Sequence, residues 1–245
     1  MRTATALTYA ALCHGLFGLA IASMTGNMFF GMTYGLGGLD GWMAVVANGL
    51  LIAQFVGGHS FLLTRGGNGV LKRLAPRAFA SDLAPTTYVI VASLQLLALF
   101  VLWSPSGIVW WRADGTLFWV IAGLALCCWA MLGKSILDAG FGLQSGLIGW
   151  WAVLRGRRPV YPDMPERGLF AIMRQPIYVA FALGCWAVSV WTPDQLAIAL
   201  MFTAYCIVAP LHKEARFRKL YGARFEAYVR RVPYWLPFRL RRASK

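Results

Sequence analysis

The sequence predicts an all-α, polytopic membrane helix bundle of about six transmembrane spans with a C-terminal amphipathic helical tail. Three observations carry that expectation. Hydrophobic residues make up 59% of the 245 and charged residues only 13%, whereas a soluble domain carries about 25% charged residues; mean hydropathy is +0.60. Apolar runs of the length that crosses a bilayer as a helix, about 20 residues, recur along the chain. The net charge of +14 is concentrated in alternate connections, as the positive-inside rule requires.

Span one covers about Ala6 to Met24. Only Arg2 precedes it, and no small-residue cleavage site leads into a polar mature domain, so it reads as a retained span. Span two runs from Trp42 to Leu63, span three from Thr86 to Trp103 and span four from Leu117 to Leu137. Spans five and six, about Ile177 to Trp191 and Gln195 to Leu211, form a hairpin across Thr192-Pro193-Asp194. Eleven Trp and nine Tyr suit a chain with two membrane–water interfaces.

Charge fixes the parity. Loop 64–84 carries Arg65, Lys72, Arg73 and Arg77, and loop 138–176 carries Arg155, Arg157, Arg158, Arg167 and Arg174. The tail from His212 is dense in Lys and Arg. Loops 25–41 and 192–194 have no basic residue, and 104–116 has only Arg112. Six spans put every basic connection on one side, with both termini cytoplasmic. No nucleic-acid motif accompanies the charge, so membrane topology explains it and no nucleic-acid partner is expected.

The chain reads as one membrane domain, 1–245. Within it, 138–176 is a cytoplasmic connection leading to a site, and 174–237 is a hairpin and tail that hold a ligand. Long irregular connections are often functional. Here Phe141 to Leu154 is apolar enough for an interfacial helix, and Pro159, Pro162 and Pro165 punctuate an extended lead into Arg174. In the tail, Phe217, Tyr221, Phe225, Tyr228 and Val232 step at helical spacing along one face, with Lys213, Arg216, Arg224 and Arg230 on other faces and Gly222 as a break. Such a helix suits the headgroup region.

The five cysteines all lie in apolar stretches, and none forms a Cys-x-x-Cys, which points to packing and not to metal or disulfide chemistry. His14, mid-span beside Cys13, is either a satisfied buried histidine or a ligand, but no second histidine stands at its depth and no metal is expected. No Gly-x-Gly-x-x-Gly follows a strand, so a dinucleotide fold is excluded.

The polar residues near the inner ends of the spans carry the candidate chemistry. Arg174-Gln175-Pro176 opens span five. Pro suits a helix N-terminus, which favours negative charge, and Arg174 is either a snorkelling side chain or a fork for a carboxylate or phosphate. Glu214 lies past span six. It is either an exposed pair with Arg218 worth about 0.3–0.5 kcal/mol, or an acceptor for a ligand amine, with Pro210 kinking the helix just before it. His59-Ser60 closes span two after Gly57-Gly58. It is either a hydrogen-bonded interfacial histidine or a base.

Arg174-Gln175-Pro176-Ile177-Tyr178, the hairpin, Glu214, Tyr221-Gly222, Phe225, Tyr228, Arg231-Val232-Pro233 and Pro237 together resemble the C-terminal signature of the integral-membrane methyltransferases, which include isoprenylcysteine carboxyl methyltransferase and the phospholipid methyltransferases. His59-Ser60, Thr87-Tyr88 and Leu154-Arg155-Gly156-Arg157 make the chain most similar to the bacterial methanethiol S-methyltransferases. The resemblance implies an S-adenosylmethionine-dependent enzyme of the bacterial inner membrane that methylates a small apolar thiol. Its alternatives are a lipid-like acceptor, as in carboxyl or phospholipid methyl transfer, and a non-catalytic scaffold of the same fold. It implies that Arg174, Gln175, Pro176, Tyr178, His212, Glu214, Tyr228 and Arg231 hold the cofactor, with His59, Arg174 and Glu214 as catalytic candidates. The chain departs from the pattern at Gln175, where His or Asn is usual, and in lacking a second acidic residue beside Glu214.

Overall fold

The computed structural model describes residues 1–235; Pro237 and the rest of the chain from 236 lie outside the described residues. The protein is an all-α membrane bundle. Five helices are long and apolar enough to cross a bilayer: α1 (Arg2–Phe29), α2 (Gly41–Leu62), α4 (Ala80–Val101), α5 (Gly115–Asp138) and α9 (Pro193–Tyr221). Shorter helices complete it: α3 (Arg65–Leu74), α6 (Phe141–Gln144), α7 (Leu147–Arg155), α8 (Pro176–Trp186) and α10 (Ala223–Arg231). Strands β1 (Trp111–Arg112) and β2 (Val190–Trp191) pair antiparallel. Two compact units are present. Unit one holds Met1–Asp114, Phe141–Tyr161 and Val188–Ala197; unit two holds Gly115–Gly140, Pro162–Ala187 and the chain from Ile198.

In unit one, α4 packs on α1, α2, α3 and α7. The α6–α7 corner inserts between α1 and α4 because residue 146 has no side chain. Gly146 adopts φ +75°, and a Cβ there would stand 2.9 Å from Cys13 Sγ and 3.0 Å from Val89 Cβ. Its carbonyl accepts from Thr86 Oγ1 at 2.6 Å, and that oxygen accepts from Trp150 N at 3.0 Å. The expected interfacial helix over 141–154 is therefore two helices broken at this left-handed glycine. His14 Nε2 accepts from Trp150 Nε1 at 3.0 Å, a satisfied histidine. Gln54 and Gln95 each donate to the other's carbonyl, at 2.9 and 3.0 Å, tying α2 to α4.

The connections poorest in basic residues meet within unit one. Ser189 N donates to Phe29 O, Thr192 Oγ1 to Gly31 O, and Gly37 N to Trp103 O. Buried Asp194 accepts from Trp103 Nε1 at 3.0 Å and from Ser106 Oγ at 2.5 Å. Alternating spans require this gathering at one end.

The fifth span departs from expectation. Only Pro176–Trp186 is helical, 11 residues and so about 16 Å long at 1.5 Å per residue, half of a hydrocarbon core of about 30 Å. The chain then runs extended into β2. Ser189 N donates to Phe29 O, and the carbonyls of Ser189 and Trp191 accept from Ala113 N and Trp110 N, the kind of pairing an apolar environment demands of a non-helical segment.

In unit two, α5 packs against α8, with Trp129 edge-on to Phe181 and Phe181 edge-on to Phe202. Asp138, at the end of α5, pairs with Lys134 and accepts from Leu169 N at 2.9 Å, seating the 3-10 turn Gly168–Ala171. Helix α9 has 29 residues, about 43 Å. It continues through Pro210 without ending, and its last turns extend past its apolar stretch. Gly222, at φ +51°, separates it from α10. The aromatic face of the tail is turned to protein: Phe225, Tyr228 and Val232 are buried with Met164, against Phe217 and Tyr221. That corrects the expectation of a face resting in lipid headgroups.

Candidate functional site

Unit two brings together residues from three parts of the sequence. Arg174 and Gln175 precede α8, Lys213 and Glu214 lie on the extension of α9, and Tyr228 lies on α10. Gln175 caps α8 with a non-helical backbone, and Pro176 stands at the first helical position, where its missing N–H costs nothing. The Gln175 side chain makes no cap bond and is turned instead toward α9.

Arg174 Nε donates to Glu214 Oε1 at 2.9 Å, with 11% and 6% of the two side chains exposed. Gln175 Nε2 donates to the same oxygen at 2.8 Å. Gln175 Oε1 in turn accepts from Lys213 Nζ at 2.8 Å. A chain of four side chains results: guanidinium, carboxylate, amide, ammonium. Glu214 is thus a buried carboxylate. Arg218 forms the expected i,i+4 ion pair, 3.7 Å from the other carboxylate oxygen, but the carboxylate it meets is buried, which corrects the expectation of an exposed pair.

The tail fixes Arg174 in place. Its Nη1 donates to Val232 O at 2.8 Å and to Val229 O at 3.2 Å, and its backbone N donates to Pro233 O at 2.9 Å. The Tyr234 ring lies 5.1 Å from the guanidinium carbon, within reach of cation–π attraction. Tyr228 donates its hydroxyl to Phe170 O at 2.7 Å. Burial pushes that phenol's pKa up, so it stays a donor. Burial raises the Tyr234 phenol as well.

The other expected site residues distribute as follows. Tyr178 joins the group through its ring, 5.5 Å from Lys213 Nζ. His212 is exposed, with Nδ1 3.5 Å from Val208 O. Arg231 is exposed and paired with Glu166 at 2.8 Å; neither it nor His212 lines the cavity between Arg174 and Glu214. His59 belongs to unit one, where Tyr88 Oη lies 2.8 Å from its Nε2 and Phe55 stacks on its ring.

The sequence reading sets Lys213 on a face other than the aromatic stripe, whereas the structure puts its ammonium inside the cluster with the rings. The sequence did carry a signal. Positions 213, 217 and 221 step by four, so Lys213 heads the aromatic stripe. Phe170 and Phe217 line the same cavity and were not read as site residues. The acidic anchors Asp163 and Glu166, which hold Arg224 at 2.6 and 2.8 Å, were also missed. Burial plays little part at Asp163, and the hydrogen bond from Arg224 holds its carboxyl below the usual range.

The charges present match an amino-acid end bearing both an ammonium and a carboxylate, with aromatic faces for a further cation. The space does not match. The free volume among Arg174, Gln175, Lys213, Glu214, Phe217 and Tyr228 is about 10 Å³, near the requirement of one water, whereas ligand pockets run to roughly 300–1,000 Å³. In this closed arrangement Arg174 and Glu214 neutralise each other.

The chain is similar to curated proteins of known name. It is 29% identical over 198 residues to "Methanethiol S-methyltransferase 2" of Bradyrhizobium diazoefficiens, covering 79% of this chain and 73% of that protein. It is 27% identical over 205 residues to "Methanethiol S-methyltransferase" of Pseudomonas sp., covering 80% and 75%. It is also 29% identical over 172 residues to "Nurim homolog" of Drosophila melanogaster, covering 67% and 66%. No family model matches the chain, and no solved structure does. The chain is thus similar, over about four-fifths of its length, to proteins named as methanethiol S-methyltransferases, in agreement with the likeness to the integral-membrane methyltransferases carried by the residues around Arg174 and Glu214.

Proposed function

We propose that the protein is an S-adenosylmethionine-dependent membrane methyltransferase acting on a small thiol such as methanethiol, giving dimethyl sulfide. The observation that supports this most is the buried convergence of Arg174 and Glu214, in a chain similar to proteins named methanethiol S-methyltransferase.

When bound, the cofactor would supply an electrophilic methyl group for the acceptor sulfur and would leave as a neutral thioether. The acceptor proton leaves beforehand, because the thiolate is the nucleophile. This chain's residues bind and orient. Glu214 takes an ammonium and Arg174 a carboxylate, each exchanging its present partner for a ligand group of the same charge. Tyr228 keeps Phe170 in position. Holding donor and acceptor in line contributes up to about 7–11 kcal/mol in well-oriented cases. His59 keeps, as a proposal, the part of positioning or deprotonating the acceptor. The excess of Lys and Arg in the connections that lead to the site supports a cytoplasmic placement for it.

The closure of the site favours one second reading, a scaffold without catalysis, and the match to a Nurim homolog, a name that states no reaction, agrees with it. Incubation with methyl-labelled S-adenosylmethionine and a panel of thiols, prenylcysteines and lipids decides among them. Label in headspace dimethyl sulfide is the expected result, and label in lipids alone moves the acceptor. If saturating S-adenosylhomocysteine leaves the melting temperature of the purified protein unmoved and no acceptor is labelled, the scaffold reading replaces the enzyme.

A further inference from the structure

Lys213 sits in surroundings poorly matched to an ammonium. Its Nζ lies 5.5 Å from the ring centroids of Phe170 and Tyr178 and 5.7 Å from that of Phe217, all within the roughly 6 Å over which an aromatic face attracts a cation. An ammonium has three N–H donors. Here one reaches Gln175 Oε1, and among the described residues Lys213 forms no ion pair with a carboxylate. The adjacent Glu214 is engaged by Arg174 and Gln175. Three ring faces and a single acceptor suit a cation that has no N–H groups, since such a cation loses no hydrogen bonds on entering.

We propose that Phe170, Tyr178 and Phe217 form an aromatic cage for a methylated onium cation, a sulfonium or a quaternary ammonium, and that the Lys213 ammonium is an internal occupant which such a cation displaces. The free volume of about 10 Å³ leaves no room for both. The displaced lysine has somewhere to go. It has a flexible four-carbon stem, and its neighbours His212 and Arg216 are exposed, so its head reaches solvent by extending outward. The inference deepens the methyltransferase reading, because the methyl donor's sulfonium is a cation of this class, yet it is testable without that donor.

The probe is choline, with 3,3-dimethylbutanol as its uncharged isostere, titrated against the full chain in detergent. Lys213→Met removes the internal cation and keeps a stem of similar bulk. Choline is expected to bind this variant at least about tenfold more tightly than wild type, the isostere is expected to gain nothing, and Lys213→Met/Phe217→Leu is expected to lose the gain. Equal gains for choline and isostere, or no gain, overturn the cage. A second measurement uses the wild-type protein alone. Choline should increase acetylation of Lys213 by a water-soluble acylating reagent, read by mass spectrometry, because the amine is driven outward. Unchanged or reduced labelling overturns the displacement. S-adenosylhomocysteine, neutral at sulfur, separates the two readings. A thermal shift with it but no choline response sinks the cage and leaves the methyltransferase, whereas the reverse sinks the donor site and leaves the cage.

Discussion

Arg174 and Glu214, 40 positions apart in sequence, meet through a 2.9 Å hydrogen-bonded ion pair that leaves the carboxylate 6% exposed. Removing one partner from a buried pair strands the other charge, at a cost of about 3–5 kcal/mol. Glu214→Ala is expected to lower the melting temperature of the purified protein and to abolish stabilisation by S-adenosylhomocysteine. Retention of that stabilisation would detach the pair from the cofactor site.

Tyr228 presents a narrower test. Its hydroxyl satisfies the carbonyl of Phe170, a residue only 2% exposed. Tyr228→Phe keeps the ring and leaves that carbonyl without its donor, for a loss of about 1–3 kcal/mol. Because burial holds the phenol's pKa up, wild type and variant should differ by the same amount at pH 6 and pH 9, as measured by thermal unfolding at both.

The left-handed corner at Gly146 should tolerate no side chain. A Cβ there would stand 2.9 Å from Cys13 Sγ, on a backbone of φ +75°, and strain of this kind costs of order 1–3 kcal/mol. Gly146→Ala should therefore destabilise unit one, whereas Gly69→Ala, with open space around a position inside helix α3, should stabilise by about 0.5–1 kcal/mol. Melting temperatures of the two variants give the comparison.

The proline-rich lead gives a pH dependence. Asp163 has a depressed pKa, chiefly through its hydrogen bond from Arg224. Its contribution is present above the ordinary carboxylate pKa and is lost as pH falls through the lowered one. Protease cleavage of the 159–167 segment should rise on acidification from pH 5 toward pH 3 in wild type. In Asp163→Asn the same cleavage should already be high at pH 6 and change less.

Much of the bundle was legible from hydropathy and charge, because long apolar runs and alternating basic loops report the bilayer directly. The fifth span was not. Ile177 to Trp191 is apolar apart from Ser189 and is visibly short for a span of about 20 residues, but nothing local says that helix ends at Trp186 and that Val190 pairs with a strand near Arg112. The Arg174–Glu214 meeting was legible through the family likeness of the flanking residues. Lys213 was not, since a charge beside a span reads by default as solvated, and only the rings of Phe170 and Tyr178, distant in sequence, draw it inward. Arg231 was assigned to the ligand on motif alone, and the acidic residue that holds it, Glu166, lies 65 positions upstream.

The tail's grip on Arg174 bears on how the protein tolerates being cut short. Three main-chain oxygens between Val229 and Pro233 hold this one residue, so the setting of a guanidinium that precedes α8 depends on a segment more than fifty positions downstream. A chain ending before residue 229 would keep all its membrane helices and yet leave that guanidinium without a mould.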